Sequence, residues 1–139
     1  MRTPRINIRL PGLNYVGRGT HFVTLCCQDR RRVFLNSEYA REIVENLRKF
    51  AEQTDFAVHA YCVMPDHVHA LVEGISDGSN LISFVKIFKQ VTAFRYKARM
   101  GRRLWQQAYY DHILRPSDLL DGVAWYIWLN PVRAGLCVE

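Results

Sequence analysis

Apolar and polar residues alternate in some stretches of the chain and recur at helical spacing in others. HFVTLCCQ, from His21 to Gln28, has the β-branched and aromatic content of a strand, and the charged turn QDRRR follows it. Ser37 suits a helix N-cap with Glu38 in the first turn. Tyr39, Ile43, Leu47 and Phe50 then recur every three to four residues, which predicts a helix to about Thr54. FAVHAYCVM reads as a second strand, PDH as a tight turn and HVHALVEG as a third strand, together an antiparallel hairpin. After the loop ISDGSN, a long helix is predicted from about Ser79 to Met100. Leu81, Val85, Phe88 and Thr92 form its inner stripe, while Lys86, Lys89, Ala93 and Lys97 face another way. QAYYDHILR reads as a fourth strand. Pro116 and Ser117 open a last helix, SDLLDGVAWYIWLN, that ends near Pro131.

The order strand–helix–strand–strand–helix–strand–helix predicts an α+β fold. Its expected form is a ferredoxin-like antiparallel sheet with the helices packed on one face and an extra C-terminal helix. Residues 1–139 read as a single domain, long enough to bury a core without staples. Residues 1–20 hold two prolines and three glycines and lack the apolar centre of a signal peptide, so an irregular arm and a cytoplasmic protein are expected.

Composition narrows the class only where it is uneven. No apolar run reaches the roughly 20 residues that span a bilayer, so no membrane partner is expected. Cys26, Cys27, Cys62 and Cys137 form no CxxC pair, which argues for reduced thiols rather than a disulfide framework or a zinc cage. The net charge of +6 is modest, but it is clustered. Lys86, Lys89, Arg95, Lys97, Arg99, Arg102 and Arg103 fall close together with Phe94 and Tyr96 between them, a pattern that suits a phosphate backbone or, equally, a solvated helix face.

Candidate chemistry centres on YCVMPDHVHALVEG. Residues two apart on a strand point to the same side about 6.5 Å apart, so His67 and His69 can offer two ring nitrogens to one ion while Val68 and Ala70 face away. An HxH pair can also be plain structure. On the last helix, Tyr126 and Asn130 are i and i+4 and share a face, about 6 Å apart. A phenol and an amide oxygen aimed at two histidines would supply a nucleophile and a third ligand. Equally, Tyr126 could be core and Asn130 could start a turn before Pro131. Tyr109 and Tyr110 are rival nucleophiles and His112 a rival ligand. Strand alternation puts Tyr110 and His112 on one face and Tyr109 on the other, and sheet packing accounts for all three. His21 and His59 have no motif partner and read as structural.

Taken in order and spacing, CVMPDHVHALVEG, LWQQAYYDHILR and YIWLNPVRAGL resemble the REP-associated tyrosine transposases, a group of the single-tyrosine HUH transposases. The resemblance runs from about His21 to the C-terminus. It implies that Tyr126 is the nucleophile and that His67, His69 and Asn130 hold a divalent metal, Mg²⁺ or Mn²⁺. Two imidazoles favour Mn²⁺ as the tighter binder. It implies a 5′-phosphotyrosine intermediate with a free 3′-hydroxyl, followed by rejoining, on single-stranded DNA that folds into hairpins of imperfect palindromes. Gln106 and Arg115 match the LWQ…R motif and are placed near DNA. Lys86, Lys89, Arg95, Lys97, Arg102 and Arg103 would follow the backbone, and Trp105 or Tyr109 would stack on unpaired bases. Only nine residues follow Asn130, where many relatives carry a longer tail, a departure that leaves open any DNA contact or regulation such a tail would make. A monomer or a homodimer fits, and the short segment between Arg115 and Ser117 favours use of the tyrosine helix in cis.

Two other readings compete. A non-catalytic nucleic-acid-binding module on the same fold would carry an aromatic pair on its central strands, where this chain has His67 and His69. A metal-dependent phosphodiesterase acting on small nucleotides would use an activated water and leave Tyr126 dispensable.

Overall fold

Strand pleating divides the protein into two faces with different tasks. In the computed structural model, which describes residues 5–6 and 15–114, the elements run β1 (Arg5–Ile6), β2 (Thr20–Cys26), α1 (Ser37–Gln53), β3 (Phe56–Met64), β4 (His67–Gly74), α2 (Leu81–Met100) and β5 (Tyr109–Leu114). The strands form one antiparallel sheet in the order β1-β5-β2-β4-β3. From β2 to β5 this is the ferredoxin-like order expected: two βαβ-type crossovers interleaved so that β2 and β4 lie at the centre. The helix predicted over 117–130, and with it Arg115, Tyr126 and Asn130, lies outside the described residues.

One sheet face carries the core. Val23 and Leu25 of β2 and Val68, Ala70 and Val72 of β4 alternate inward. They meet Ile43, Leu47 and Phe50 of α1 and Leu81, Phe84, Val85 and Phe88 of α2. The periodic positions predicted on both helices are therefore the ones that fill the core. The opposite face is less covered by the described residues. There Cys62, Met64 and Leu71 form a small cluster with Phe22 and Ala60 beside it.

Boundaries differ from expectation in ways that have local causes. Asn36, not Ser37, caps α1. Its extended backbone lets its side chain accept from the Glu38 N–H at 2.9 Å, while Ser37 is already helical. Helix α2 begins at Leu81 because Asn80 caps it, accepting from Ser83 N–H at 3.2 Å. Gly101, at φ 70°, ends that helix in the left-handed conformation that glycine adopts without steric cost.

Parts of the N-terminal arm lie within the described residues. Arg5–Ile6 pairs with Tyr109–Tyr110, covering backbone groups that an edge strand would leave open. Tyr15 is buried in the core, and its carbonyl accepts from Leu81 N–H at 2.9 Å. Gly17 lies so close to Gly74 that a side chain at Gly74 would collide with the Gly17 carbonyl oxygen. Cys26, Cys27 and Cys62 are buried and in no disulfide, and burial pushes Cys27 up to about 12, so it stays protonated at neutral pH. Among the described residues, no helix is long and apolar enough to cross a membrane.

Candidate functional site

The face away from the helices carries the two histidines. Register pairs Cys26 with His67 and Thr24 with His69, and on the other side of β4 Met64 pairs with His67 and Cys62 with His69. Tyr110 lies opposite Thr24, in the same cross-strand row as His69. The i, i+2 spacing read from the sequence therefore puts both imidazoles on one face. Their Nε2 atoms converge to 3.1 Å, with ring centroids 4.6 Å apart and planes at 77°. Phe22 stacks on His69 at 5.4 Å and walls that ring from one side.

Each ring is aimed by a bond to its other nitrogen. The Asp66 carboxylate accepts from His67 Nδ1–H at 2.7 Å, and Thr24 Oγ1 lies 2.9 Å from His69 Nδ1. An ionised carboxylate only accepts, so Asp66 fixes a His67 proton on Nδ1, and in the neutral ring the Nε2 lone pair points at His69. When the Thr24 hydroxyl accepts from His69 in the same way, two Nε2 lone pairs meet at one point. That arrangement is repulsive alone and suits a shared cation, which makes the pair a fitting half of a metal site. Burial first, then the nearby charges of His67 and Arg30, lower His69 to about 4, so it is the neutral, ligating form at pH 7.

Asp66 is held in turn. Burial pushes its carboxyl up, but hydrogen bonds from His67 and Arg30, with their charges, outweigh this and keep it below the usual carboxylate range. Arg30 Nε donates to Asp66 Oδ2 at 2.9 Å. Among the described residues, no third His, Cys, Asp or Glu joins the two histidines in a metal-binding group. The expected third ligand, Asn130, and the expected nucleophile, Tyr126, lie outside those residues.

The basic cluster is not where the histidines are. Helix α2 packs on the opposite sheet face, and its Lys86, Arg95, Lys97, Arg99, Arg102 and Arg103 neighbourhood is exposed to solvent there. Arg99 pairs with Glu42 at 2.6 Å and lies over the Tyr39 ring. Lys89, expected on the phosphate-binding face, is instead half-buried. Its ammonium donates to the carbonyls of Gln106 and Gln107 at 2.9 and 3.2 Å, and burial, then Arg103, lowers it to about 8. Lys89 thus secures the chain before β5 rather than facing a backbone phosphate.

Trp105 also departs from expectation. It is 3% exposed, packs on Phe34 and Phe88, and donates from Nε1 to Thr92 Oγ1 at 2.9 Å. A residue so enclosed cannot stack on a base. It anchors the LWQ segment, whose backbone runs beside the end of β2: Gln28 N–H donates to Leu104 O at 2.8 Å, and Gln106 N–H donates to Cys26 O at 2.9 Å. Gln106 is thereby held at the histidine end of the sheet. Tyr109 packs against the helix-side core with Lys89 over its ring, as alternation placed it, away from the histidine face. His112 lies opposite Phe22 in the register. His21 is buried 3.4 Å from Asp111, and His59 pairs with Glu73 at 2.8 Å, both outside the histidine site.

Thr24, Asp66 and Arg30 are site residues that the sequence did not single out. Only Asp66, next to His67, left a local signal. The reassignment of Trp105 is open to test. Trp105→Ala is expected to cost about 3–5 kcal/mol of stability, as for a large buried aromatic, read as a lowered denaturant midpoint. Wild-type stability with weakened DNA binding would instead restore the stacking role.

The chain is similar to known proteins in sequence and in fold. The family model described as "Transposase IS200 like" matches residues 17–127. A REP-associated tyrosine transposase of Escherichia coli K12 is 29% identical over 124 residues, covering 87% of this chain and 71% of its own. A Haemophilus influenzae protein provisionally named a REP-associated tyrosine transposase is 27% identical over 128 residues, covering 84% of this chain and 72% of its own. The solved structure of a REP-associated tyrosine transposase bound to a REP hairpin superposes with a TM-score of 0.75 at 22% identity, over 94% of this chain and 76% of that one, which establishes the shared fold. With a family match over most of its length and a fold shared with a solved relative, the chain belongs to the IS200-like transposases.

Proposed function

We propose that this transposase cleaves and rejoins single-stranded DNA through Tyr126, at a site built around His67 and His69. The observation that carries the reading is the convergence of the two Nε2 atoms at 3.1 Å, each ring aimed by its own Nδ1 partner. Two histidines so placed make an incomplete ligand set, and Asn130 is the residue proposed to complete it. A divalent ion there, Mg²⁺ or Mn²⁺, would supply Lewis-acid polarisation of a phosphate oxygen. The chain's own residues do the rest. Asp66 and Thr24 keep the two imidazoles oriented, and the lowered His69 keeps its lone pair free at neutral pH.

In the proposed reaction, the Tyr126 oxygen attacks the phosphorus in line with the 3′ oxygen. The new P–O bond to tyrosine forms as the P–O3′ bond breaks, and its electron pair leaves with the 3′ oxygen. The proton lost by the phenol is matched by the one gained at the 3′-hydroxyl. Because the phosphodiester energy is kept in the 5′-phosphotyrosine, a 3′-hydroxyl can reverse the step and rejoin DNA without a nucleotide cofactor. The substrate is proposed to be single-stranded DNA carrying a hairpin. Support comes from the REP hairpin bound by the structural neighbour and from the exposed basic residues of α2 and Arg102–Arg103.

Incubation with hairpin-bearing oligonucleotides from the DNA flanking the gene, in Mn²⁺, is expected to give a covalent protein–DNA adduct on a denaturing gel. Tyr126→Phe and His67→Ala should both abolish it. An adduct that survives in Tyr126→Phe would move the nucleophile, with Tyr110 the next candidate. Firm binding without any adduct would favour the non-catalytic binding module.

The role of Thr24 is separable. Thr24→Val keeps the shape of the side chain but removes the partner of His69 Nδ1. It is expected to weaken Mn²⁺ binding by about 10–100-fold, the usual effect of removing a ligand's orienting partner, with little change in thermal stability. Calorimetric titration reads this directly, and an unchanged affinity would show that Thr24 does not orient the ligand.

A further inference from the structure

We infer that Arg30 contacts a DNA phosphate beside the histidine pair, a role that rests on the cleavage reading above and adds a substrate-binding residue to it. The first observation is backbone strain. Asp29 (φ 57°) and Arg30 (φ 53°) are consecutive non-glycine residues in the left-handed region, which side chains disfavour. Hydrogen bonds from Arg30 N–H to Cys27 O and from Arg31 N–H to Gln28 O hold this turn, and Gln28 is tied to Leu104. The consequence is directional. Instead of continuing away from β2, the turn brings the Arg30 side chain back over the histidine end of the sheet.

The second observation is how the guanidinium is used. Nε donates to Asp66 Oδ2 at 2.9 Å, on the carboxylate whose other oxygen holds His67, and Nη1 lies 3.5 Å from Cys26 Sγ. Among the described residues, nothing takes the hydrogens of Nη2. The side chain is 55% exposed while its Asp66 partner is 23% exposed. A tether for Asp66 needs one N–H. A fork of five donors, fixed at one edge and open at the other, is the geometry that grips a phosphate. The charge balance agrees. Asp66 shares its single negative charge between His67 and Arg30, so Arg30 keeps positive potential to offer. A phosphodiester brings one negative charge to this face and gains more in the transition state, where a fixed cation acts most strongly.

The alternative is that Arg30 acts only through Asp66 and His67. Binding of a 5′-fluorescein hairpin oligonucleotide with single-stranded flanks, measured by anisotropy over a range of salt, separates the two. Loss of one phosphate contact should lower the slope of log affinity against log salt by about 0.7. That reduction is expected in Arg30→Ala and in Arg30→Gln, which retains a donor for Asp66 and guards against a folding defect. Asp66→Asn should keep the wild-type slope. In the adduct assay, Arg30→Ala should slow cleavage by roughly a hundredfold, the scale of losing one transition-state donor, also in an Asp66→Asn background, while Mn²⁺ affinity changes little. A wild-type slope in both Arg30 variants would overturn the inference even if adduct forms normally. So would a rate loss that vanishes in the Asp66→Asn background. A reduced slope with no adduct in the wild type would uphold the contact and remove the cleavage chemistry instead.

Discussion

Two imidazoles whose Nε2 atoms meet at 3.1 Å need a scaffold to hold them and something positive between them, a proton on one ring or a cation shared by both. The geometry at His67 and His69 depends on that constraint being met by the sheet. Pleating of β4 gives both rings one direction, and the packed face behind them gives β4 its rigidity. Val68, Ala70 and Val72, the residues that alternate with the histidines, are buried against α1 and α2 and are 0–2% exposed. Moving the register by one residue would expose those three and drive the histidines into the core. Core packing and site placement are thus one event. Asp66 and Thr24 then set the ring rotations, one from the adjoining turn and the other from across the sheet.

Separation of the two faces also shapes how DNA is met. The α2 cations and the histidines lie on opposite sides of the sheet, so a strand engaged at the histidines is not simply one laid along α2. Segment 104–107 links the two regions. Trp105 and Lys89 pin it from the helix side, and its backbone pairs with Cys26–Gln28 beside the histidine end of the sheet. Lys89 and Trp105 are therefore best understood as the fastening of the LWQ motif, with Gln106 as the residue they present.

Much of this was legible in the sequence because the signals were local. The hairpin 56–74 is bounded by a Pro-Asp turn, and its strands match the predicted FAVHAYCVM and HVHALVEG. The inner stripe Leu81, Val85, Phe88, Thr92 is buried as its spacing required. The signals that were missed are long-range. Thr24 reaches His69 across 45 residues through strand register, which no spacing rule encodes. Arg30 points at Asp66 only because two non-glycine residues adopt left-handed backbone, a choice invisible among QDRRR. Nothing local to Trp105, expected to stack on unpaired bases, marks it as buried. Its burial follows from Gly101 turning the chain back over Phe88 and Phe34.

The central claim is that one cation is shared by the two Nε2 atoms. Anomalous X-ray scattering from crystals of the full chain equilibrated with Mn²⁺ tests it most directly. The account predicts a single strong peak within bonding distance of Nε2 of both His67 and His69, with Asp66 on His67 Nδ1 and Thr24 on His69 Nδ1 as now, and the Asn130 side chain as a further ligand. A peak at another position, or no metal between well-ordered imidazoles at millimolar Mn²⁺, would contradict it.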